Sequence, residues 1–225
     1  MSVTYLSKSA DHTKSADEPC GEFGHKHLWT RDELYRAMDA GVFGEKSTER
    51  LKMELLEGEL YEIMPMKRPH AKAIDKSRRV IEKSFGDAHY VSDQKPIQVG
   101  VRSEPEPDLA VILGTPDDYA DSPPADAVRL VFEAANTSQY IDRGNKARIY
   151  AKANIPEYWI LILKNRTLEV RRSPAPAPEN AKRWEYQDIK VYQETDSVTP
   201  IHAPDAKIKV ADLLPVLKNS LTEED

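Results

Sequence analysis

One cysteine in 225 residues, Cys20, rules out an internal disulfide and a site built from several thiolates. No stretch approaches the roughly 18 consecutive apolar residues of a membrane helix. The first residues, with Lys8, Asp11, Lys14 and Asp17, lack the apolar core of a secretion signal. The expected setting is therefore cytoplasmic, with no membrane association. Positive charge is also short: 32 Lys and Arg face 38 Asp and Glu, a net charge of -6 that argues against coating nucleic acid through a global positive field. The ends account for most of it. Residues 1–28 carry three lysines against four acids and residues 219–225 carry three acids, which leaves the body at -2 and open to a local basic surface. Familiar signatures are missing too: there is no GxGxxG, HExxH, GxSxG or paired CxxC. Gly44-Glu45-Lys46-Ser47-Thr48 lacks the spacing and the preceding strand of a phosphate loop, and His25 and His27 form a close pair only by accident of sequence.

What is present suits a soluble globular chain. Apolar residues at 40% are too many for a disordered segment, and charged residues at 31% are too many for a membrane protein. The length fits a single domain. Residues 1–27, rich in Ser, Asp, Lys, Gly and His without apolar period, read as an N-terminal arm; 28–217 read as the domain and 218–225 as an acidic tail. Thr30-Arg31-Asp32-Glu33 has the form of a capping box, with Trp29 and Leu34 placed as a hydrophobic staple, so a helix is expected over 31–40 and should stop at Gly41. Leu51 to Met64 reads as two strands turning at Glu57-Gly58. From Pro69 to Phe85 the period is helical at about 100° per residue, with Ile74, Ile81 and Phe85 on one face and His70 about 40° away. Lys72, Lys76, Arg79 and Lys83 fall on the opposite face, which suits either a solvated surface or a phosphate-tracking one. Strands are expected at 108–113 and 128–135, then a helix capped at Asp142, then a hairpin of 158–163 and 167–170 about Lys164-Asn165-Arg166. A Pro/Ala-rich loop over 173–181, short strands around 184–192 and 208–210, and Leu213 to Leu217 complete the chain. The order implies an α+β or α/β fold: a mixed sheet flanked by helices, with an N-terminal helix and hairpin as an extension.

A carboxylate stands in each of the two central apolar runs. Glu133 interrupts Leu130-Val131-Phe132 and Ala134-Ala135, where an ionised side chain is disfavoured unless it is paired or holds a metal. Asp108 follows Pro107, which lacks an N–H and suits the first position of a strand; Pro-Asp is also ordinary turn chemistry. On adjacent strands the two acids would offer hard oxygen donors to Mg2+ or Mn2+. Lys146, on the next helix, is placed either to lie exposed or to reach back over the strand ends near a helix N-terminus that favours phosphate. Two acids and a lysine at one end of a sheet suit phosphodiester hydrolysis, with the metal polarising the phosphoryl oxygen and the lysine offsetting its charge.

Several stretches together carry a family likeness: Trp29-Thr30 with its helix, Glu54-Leu-Leu-Glu-Gly-Glu59, Pro69-His70, Pro107-Asp108-Leu-Ala-Val, Phe132-Glu133, Asp142-Arg143-Gly-Asn-Lys146 and, most specific, Tyr150-Ala-Lys-Ala-Asn-Ile-Pro-Glu-Tyr-Trp-Ile160. The sequence resembles the Uma family (Uma-two type) of restriction endonucleases, a branch of the PD-(D/E)XK nuclease fold, over about residues 28–217. The resemblance implies a metal-dependent endonuclease core acting on DNA, in which Asp108 and Glu133 ligate Mg2+ or Mn2+ and Lys146 takes the place of the catalytic lysine. It also implies that Glu54 and His70 border the site; read alone, Glu54 suits a solvent-facing hairpin and His70 a helix start packed near the core. The parent motif carries its lysine two residues after the acid, where this chain has Ala135. Arg143 joins Lys72, Lys76, Arg79 and Lys83 as a candidate nucleic-acid contact. Glu157, Tyr158 and Trp159 read as structural. A homodimer stays open. The alternative readings are a catalytically silent nuclease-fold module binding nucleic acid or protein, and a phosphoesterase acting on a small molecule.

Overall fold

The computed structural model describes residues 24–44, 51–63, 68–135 and 139–216. Cys20 and the arm up to residue 23, Glu45 to Thr48 of the phosphate-loop-like stretch, Leu217 and the acidic tail lie outside the described residues.

Local chemistry sets the first elements. Helix α1 (Arg31–Asp39) begins at Thr30, whose Oγ1 accepts from the Glu33 amide while the Thr30 amide donates to Glu33 Oε2 at 2.8 Å. The reciprocal pair satisfies two amides that a helix start leaves orphaned. Strands β1 (Met53–Leu56) and β2 (Glu59–Glu62) turn through Glu57 and Gly58 at φ values of 51° and 86°, the left-handed pair that a two-residue hairpin needs. At Gly58 a Cβ would sit 2.6 Å from Leu28 Cβ, so glycine also lets the preceding chain cross the turn.

Helix α2 (Arg68–Phe85) leads into β3 (His89–Asp93), a strand that the sequence reading did not anticipate, and then β4 (Leu109–Leu113) and β5 (Val128–Ala135) follow. The next helical stretch is continuous: α3 (Gln139–Ile141), a wide π-turn (Asp142–Lys146) and α4 (Ala147–Lys152). Asp142 is thus not an N-cap; it lies inside the helix and is buried. Strands β6 (Glu157–Ile162), β7 (Thr167–Ala177) and β8 (Asn180–Gln193) complete a six-stranded sheet of order β3-β4-β5-β6-β7-β8. Neighbours are antiparallel except β5 and β6, whose parallel pairing requires a crossover, supplied by the helical stretch. Strand β9 (Ser197–Val198), β10 (Ile208–Lys209) and the short α5 (Val210–Leu213) close the fold.

The Pro/Ala-rich segment is strand, not loop. Beyond Arg172, which pairs with Glu157 at the start of β6, the β7 chain has only β8 beside it, so N–H groups on its open side need no partner. Pro174 and Pro176 occupy alternate positions there, in register with Tyr186 and Trp184, the edge placement in which proline costs no ladder bond.

Period-two alternation sorts the sheet into two cores. Leu109, Val111, Leu130, Phe132, Trp159 and Leu161 face α2 and α5 through Ala73, Ile74, Ile81, Phe85 and Leu213. Ala110, Ile112, Val131, Ala135, Tyr158 and Ile160 face α4 and the hairpin through Ala147, Tyr150, Ala151 and Leu56. Glu133, between Val131 and Ala135 in the alternation, belongs to the second face.

Candidate functional site

The antiparallel register that pairs Leu109 with Phe132 sets Asp108, one residue before the start of β4, opposite Glu133. Strand β5 continues there without β4 beside it, and Asp108 fills the gap. Its Oδ2 accepts the Ala134 amide at 2.8 Å, while its own amide donates to Glu133 Oε2 at 3.2 Å. His70, at the N-terminal end of α2, reaches over the sheet end and places Nε2 3.1 Å from Asp108 Oδ1.

The helical stretch approaches from the other side. Lys146 Nζ lies 2.9 Å from Glu133 Oε1 and 3.0 Å from Glu54 Oε1, and Tyr150 donates its hydroxyl to the same Glu133 oxygen at 3.2 Å. Glu54 reaches the cluster because β1 packs along the segment before β4: Leu55 bridges to Glu104, and the Glu106 amide donates to Glu54 Oε1 at 2.8 Å. Glu54, Glu133, Asp142 and Lys146 are all buried. Asp142 acts on Glu133, Lys146, Tyr150 and His70 through its charge. Asp142, Lys146 and Tyr150 recur at every fourth position, and this spacing is the sequence signal that could have found Asp142 and Tyr150, which the sequence reading did not place in the site.

The wide turn that carries Asp142 and Lys146 is pinned from the sheet. A π-turn releases carbonyl groups from regular pairing. Tyr158 on β6 donates its hydroxyl to the Asp142 carbonyl at 3.1 Å, and Arg171 on β7 donates to the Arg143 carbonyl at 3.3 Å.

Charge is unbalanced in this cluster. Burial pushes the Glu133 carboxyl well up, and the charges of Asp108, Asp142 and Glu54 push the same way against the pull of Lys146. Burial would bring the Lys146 ammonium down, but Glu133, Glu54 and Asp142 together outweigh it and hold the proton firmly. His70 is raised chiefly by its bond to Asp108, against burial and with added support from the charges of Asp108 and Asp142. Four carboxyl groups surround two bases, and the crowding of like charge with burial favours the neutral form of Glu133.

Among the described residues no three His, Cys, Asp or Glu side chains converge at metal-ligand spacing. Asp108 and Glu133 supply two carboxylates, and one or two carboxylates with water and phosphate oxygens are the usual complement of protein-bound Mg2+. The donor chemistry and the excess of carboxyl groups over bases therefore fit a hard divalent cation, whose charge would favour the ionised form of Glu133.

The basic stripe of α2 is not brought to this cluster. Lys72, Arg79 and Lys83 are exposed on a helix that packs against the sheet face opposite the one bearing Glu133. Lys76 is turned inward, donating to the Leu214 carbonyl at 2.6 Å, so it does not belong to an outward-facing row. Arg143 lies on the π-turn and pairs with Glu169. Glu157 is buried and bonded to Arg172, the Trp159 indole and the Ile201 amide, the pattern of a structural carboxylate. Asn136 to Ser138, after Glu133, lie outside the described residues. A cavity of about 660 Å³ beside β3, lined by Arg78, His89, Tyr90, Asp93 and Tyr119 among others, contains none of the cluster.

Comparison with known proteins follows the same lines. The Uma2 family model, described as "Putative restriction endonuclease", matches residues 32–211. Among solved structures, the crystal structure of a "putative nuclease belonging to DUF820" from Anabaena variabilis ATCC 29413 is 15% identical, with a TM-score of 0.59 over 82% of this chain and 97% of that one. At this identity the likeness concerns the fold, a restriction-endonuclease-like mixed sheet flanked by helices. No curated protein matches the sequence. With 32–211 matched out of 225 residues, the chain belongs to the Uma2 family.

Proposed function

We propose that the protein is a divalent-metal-dependent endonuclease that hydrolyses DNA phosphodiester bonds. The observation that carries this reading is the cluster itself: Glu54, Asp108, Glu133 and Asp142 gathered about Lys146 and His70 at one end of the sheet, an excess of carboxyl groups over bases that a dication would hold ionised. Family membership supports the same reaction class.

Asp108 and Glu133 would hold Mg2+ or Mn2+, which when bound supplies Lewis-acid polarisation of the phosphoryl group and a more acidic water. Lys146, kept protonated by its carboxylates, is suited to offset charge on the phosphoryl oxygens and not to act as a base. Glu54 holds the same ammonium at 3.0 Å. His70 orients Asp108 and, with its affinity for a proton raised, serves as a proton holder beside it. Ala135, where the parent motif has lysine, is packed in the apolar core, so the ammonium function falls to Lys146.

One observation favours the catalytically silent module instead. Glu133 is internally saturated, with Lys146 and Tyr150 on one oxygen and the Asp108 amide on the other. Titration calorimetry with Mn2+ separates the two. The enzyme reading expects a bound ion whose affinity falls at least about tenfold, roughly 1.4 kcal/mol, in Asp108→Asn and Glu133→Gln. A folded wild-type protein that takes no Mn2+ would transfer the reading to the silent module.

A further inference from the structure

The sheet protects its open strand edges unequally. Strand β3, at one end, is five residues long and none of them is exposed. Beyond Arg172, the open side of β7 carries Pro174 and Pro176, which offer no N–H to a neighbour. Strand β8, at the other end, has neither protection. It runs from Asn180 to Gln193 without proline or glycine and pairs only with β7. Gln187 to Val191 are exposed at every position, so both faces of this stretch are open. Two of the five are large and apolar: Ile189 is 51% exposed and Val191 49%. A long, open strand edge with exposed apolar side chains is a template for another strand.

We infer that a second copy of this chain pairs with the β8 edge, antiparallel and centred on Ile189. The interface is isologous, the same strand from both subunits about a two-fold axis.

Charge complementarity selects both the occupant and the register. Asp188 and Lys190 lie on one face, opposite Arg172 and Val170 of β7, and Ile189 and Val191 lie on the other, opposite Arg171 and Glu169. Arg172 is spent on Glu157 and the Thr199 carbonyl, so it does not neutralise Asp188. Antiparallel pairing centred on Ile189 sets Asp188 of each copy opposite Lys190 of the other, giving two opposite-charge pairs. It also stacks Ile189 on its own counterpart and covers the exposed Val191. A two-residue slip either way, centring the pairing on Asp188 or on Lys190, sets like charges directly opposite, which is destabilising. The sequence Asp-Ile-Lys therefore complements itself in one register and opposes the neighbouring ones. Glu133, Ile160, Glu169 and Val191 are successive register partners, so Val191 stands on the face that bears Glu133. Pairing joins two six-stranded sheets into one and puts both acidic clusters on the same side of it. Seven strand spacings would separate the two Glu133 residues, about 33 Å along the sheet.

The test is sedimentation velocity of the full chain from micromolar to submillimolar concentration. Wild type should move from 25.5 kDa towards twice that mass as concentration rises. Asp188→Lys and Lys190→Asp should each weaken association about tenfold or more, because both symmetry-related pairs become repulsive. An equimolar mixture of the two variants should associate again, as should the chain carrying both exchanges, since each restores opposite charges across the axis. These side chains are exposed, and a thermal melt checks that the variants stay folded. A wild type that remains monomeric throughout overturns the inference; protection of β8 amides from hydrogen exchange in that monomer would assign the edge to residues of the same chain. A dimer indifferent to both single exchanges, or one that the mixture fails to restore, overturns it in favour of another surface. Each Glu133 cluster is built from a single chain, so either failure leaves the nuclease reading intact.

Discussion

Asp108 illustrates how one side chain serves both fold and site. Its carboxylate accepts an amide that β5 would otherwise leave unpaired where β4 ends. Removing that acceptor leaves the Ala134 amide orphaned, at a cost of about 1–3 kcal/mol. In metal-free protein, Asp108→Ala should therefore lower the midpoint of thermal unfolding clearly, whereas Asp108→Asn, which keeps an acceptor oxygen, should stay closer to wild type. Equal melting of the two variants would remove the structural half of the argument. Lys146 is the converse case, a buried cation between two buried carboxylates. Lys146→Met should destabilise by about 3–5 kcal/mol, because truncating one member of a buried pair strands the other. Adding Glu133→Gln should recover part of that loss in urea denaturation. Glu133 was legible in the sequence because an acid inside an apolar strand needs an explanation. Tyr150 was not, since a tyrosine in helical register reads equally well as core, and only its hydroxyl 3.2 Å from Glu133 distinguishes it.

Elements fixed by local chemistry were legible; those fixed by distant partners were not. The capping box at Thr30, the Glu57-Gly58 turn and the buried run of β5 follow from a few adjacent residues. Pro174 and Pro176 sit in a strand because β6 ends beside them, which no window around residue 175 reveals. Likewise the π-turn depends on Tyr158 and Arg171, which lie beyond the helix it interrupts. The capping box gives a prediction at this scale. Amide and hydroxyl bonds from Thr30 hold the Glu33 carboxyl below its ordinary value. A carboxyl lowered by folding contributes stability above its unfolded pKa and loses it as pH falls through the folded one. Thr30→Ala should cost about 1 kcal/mol at neutral pH, and the gap from wild type should narrow as acid protonates Glu33. A gap that holds constant from neutral pH into the acid range would contradict the assignment.

At the scale of the molecule, the sheet gathers at one end residues that the sequence scatters from Glu54 to Tyr150. The mixed sheet with flanking helices was readable from the order of apolar runs, and the pairing of Asp108 with Glu133 from their place in adjacent strands. Glu54 and His70 were harder, because their arrival depends on how the hairpin and α2 pack and not on their neighbours in sequence. The α2 basic stripe shows the reverse: its helical period was readable, but Lys76 turns inward to α5 and the helix covers the sheet face away from Glu133. The central claim, that the acidic cluster with Lys146 cuts DNA with a divalent cation, is tested most directly by nicking of supercoiled plasmid in Mg2+, Mn2+ and EDTA. Glu133→Ala and Lys146→Ala, purified in parallel, exclude contaminating nucleases. Conversion to nicked circles that requires the cation and is lost in both folded variants is the predicted result; equal nicking by the variants, or none by the folded wild type in either metal, would contradict it.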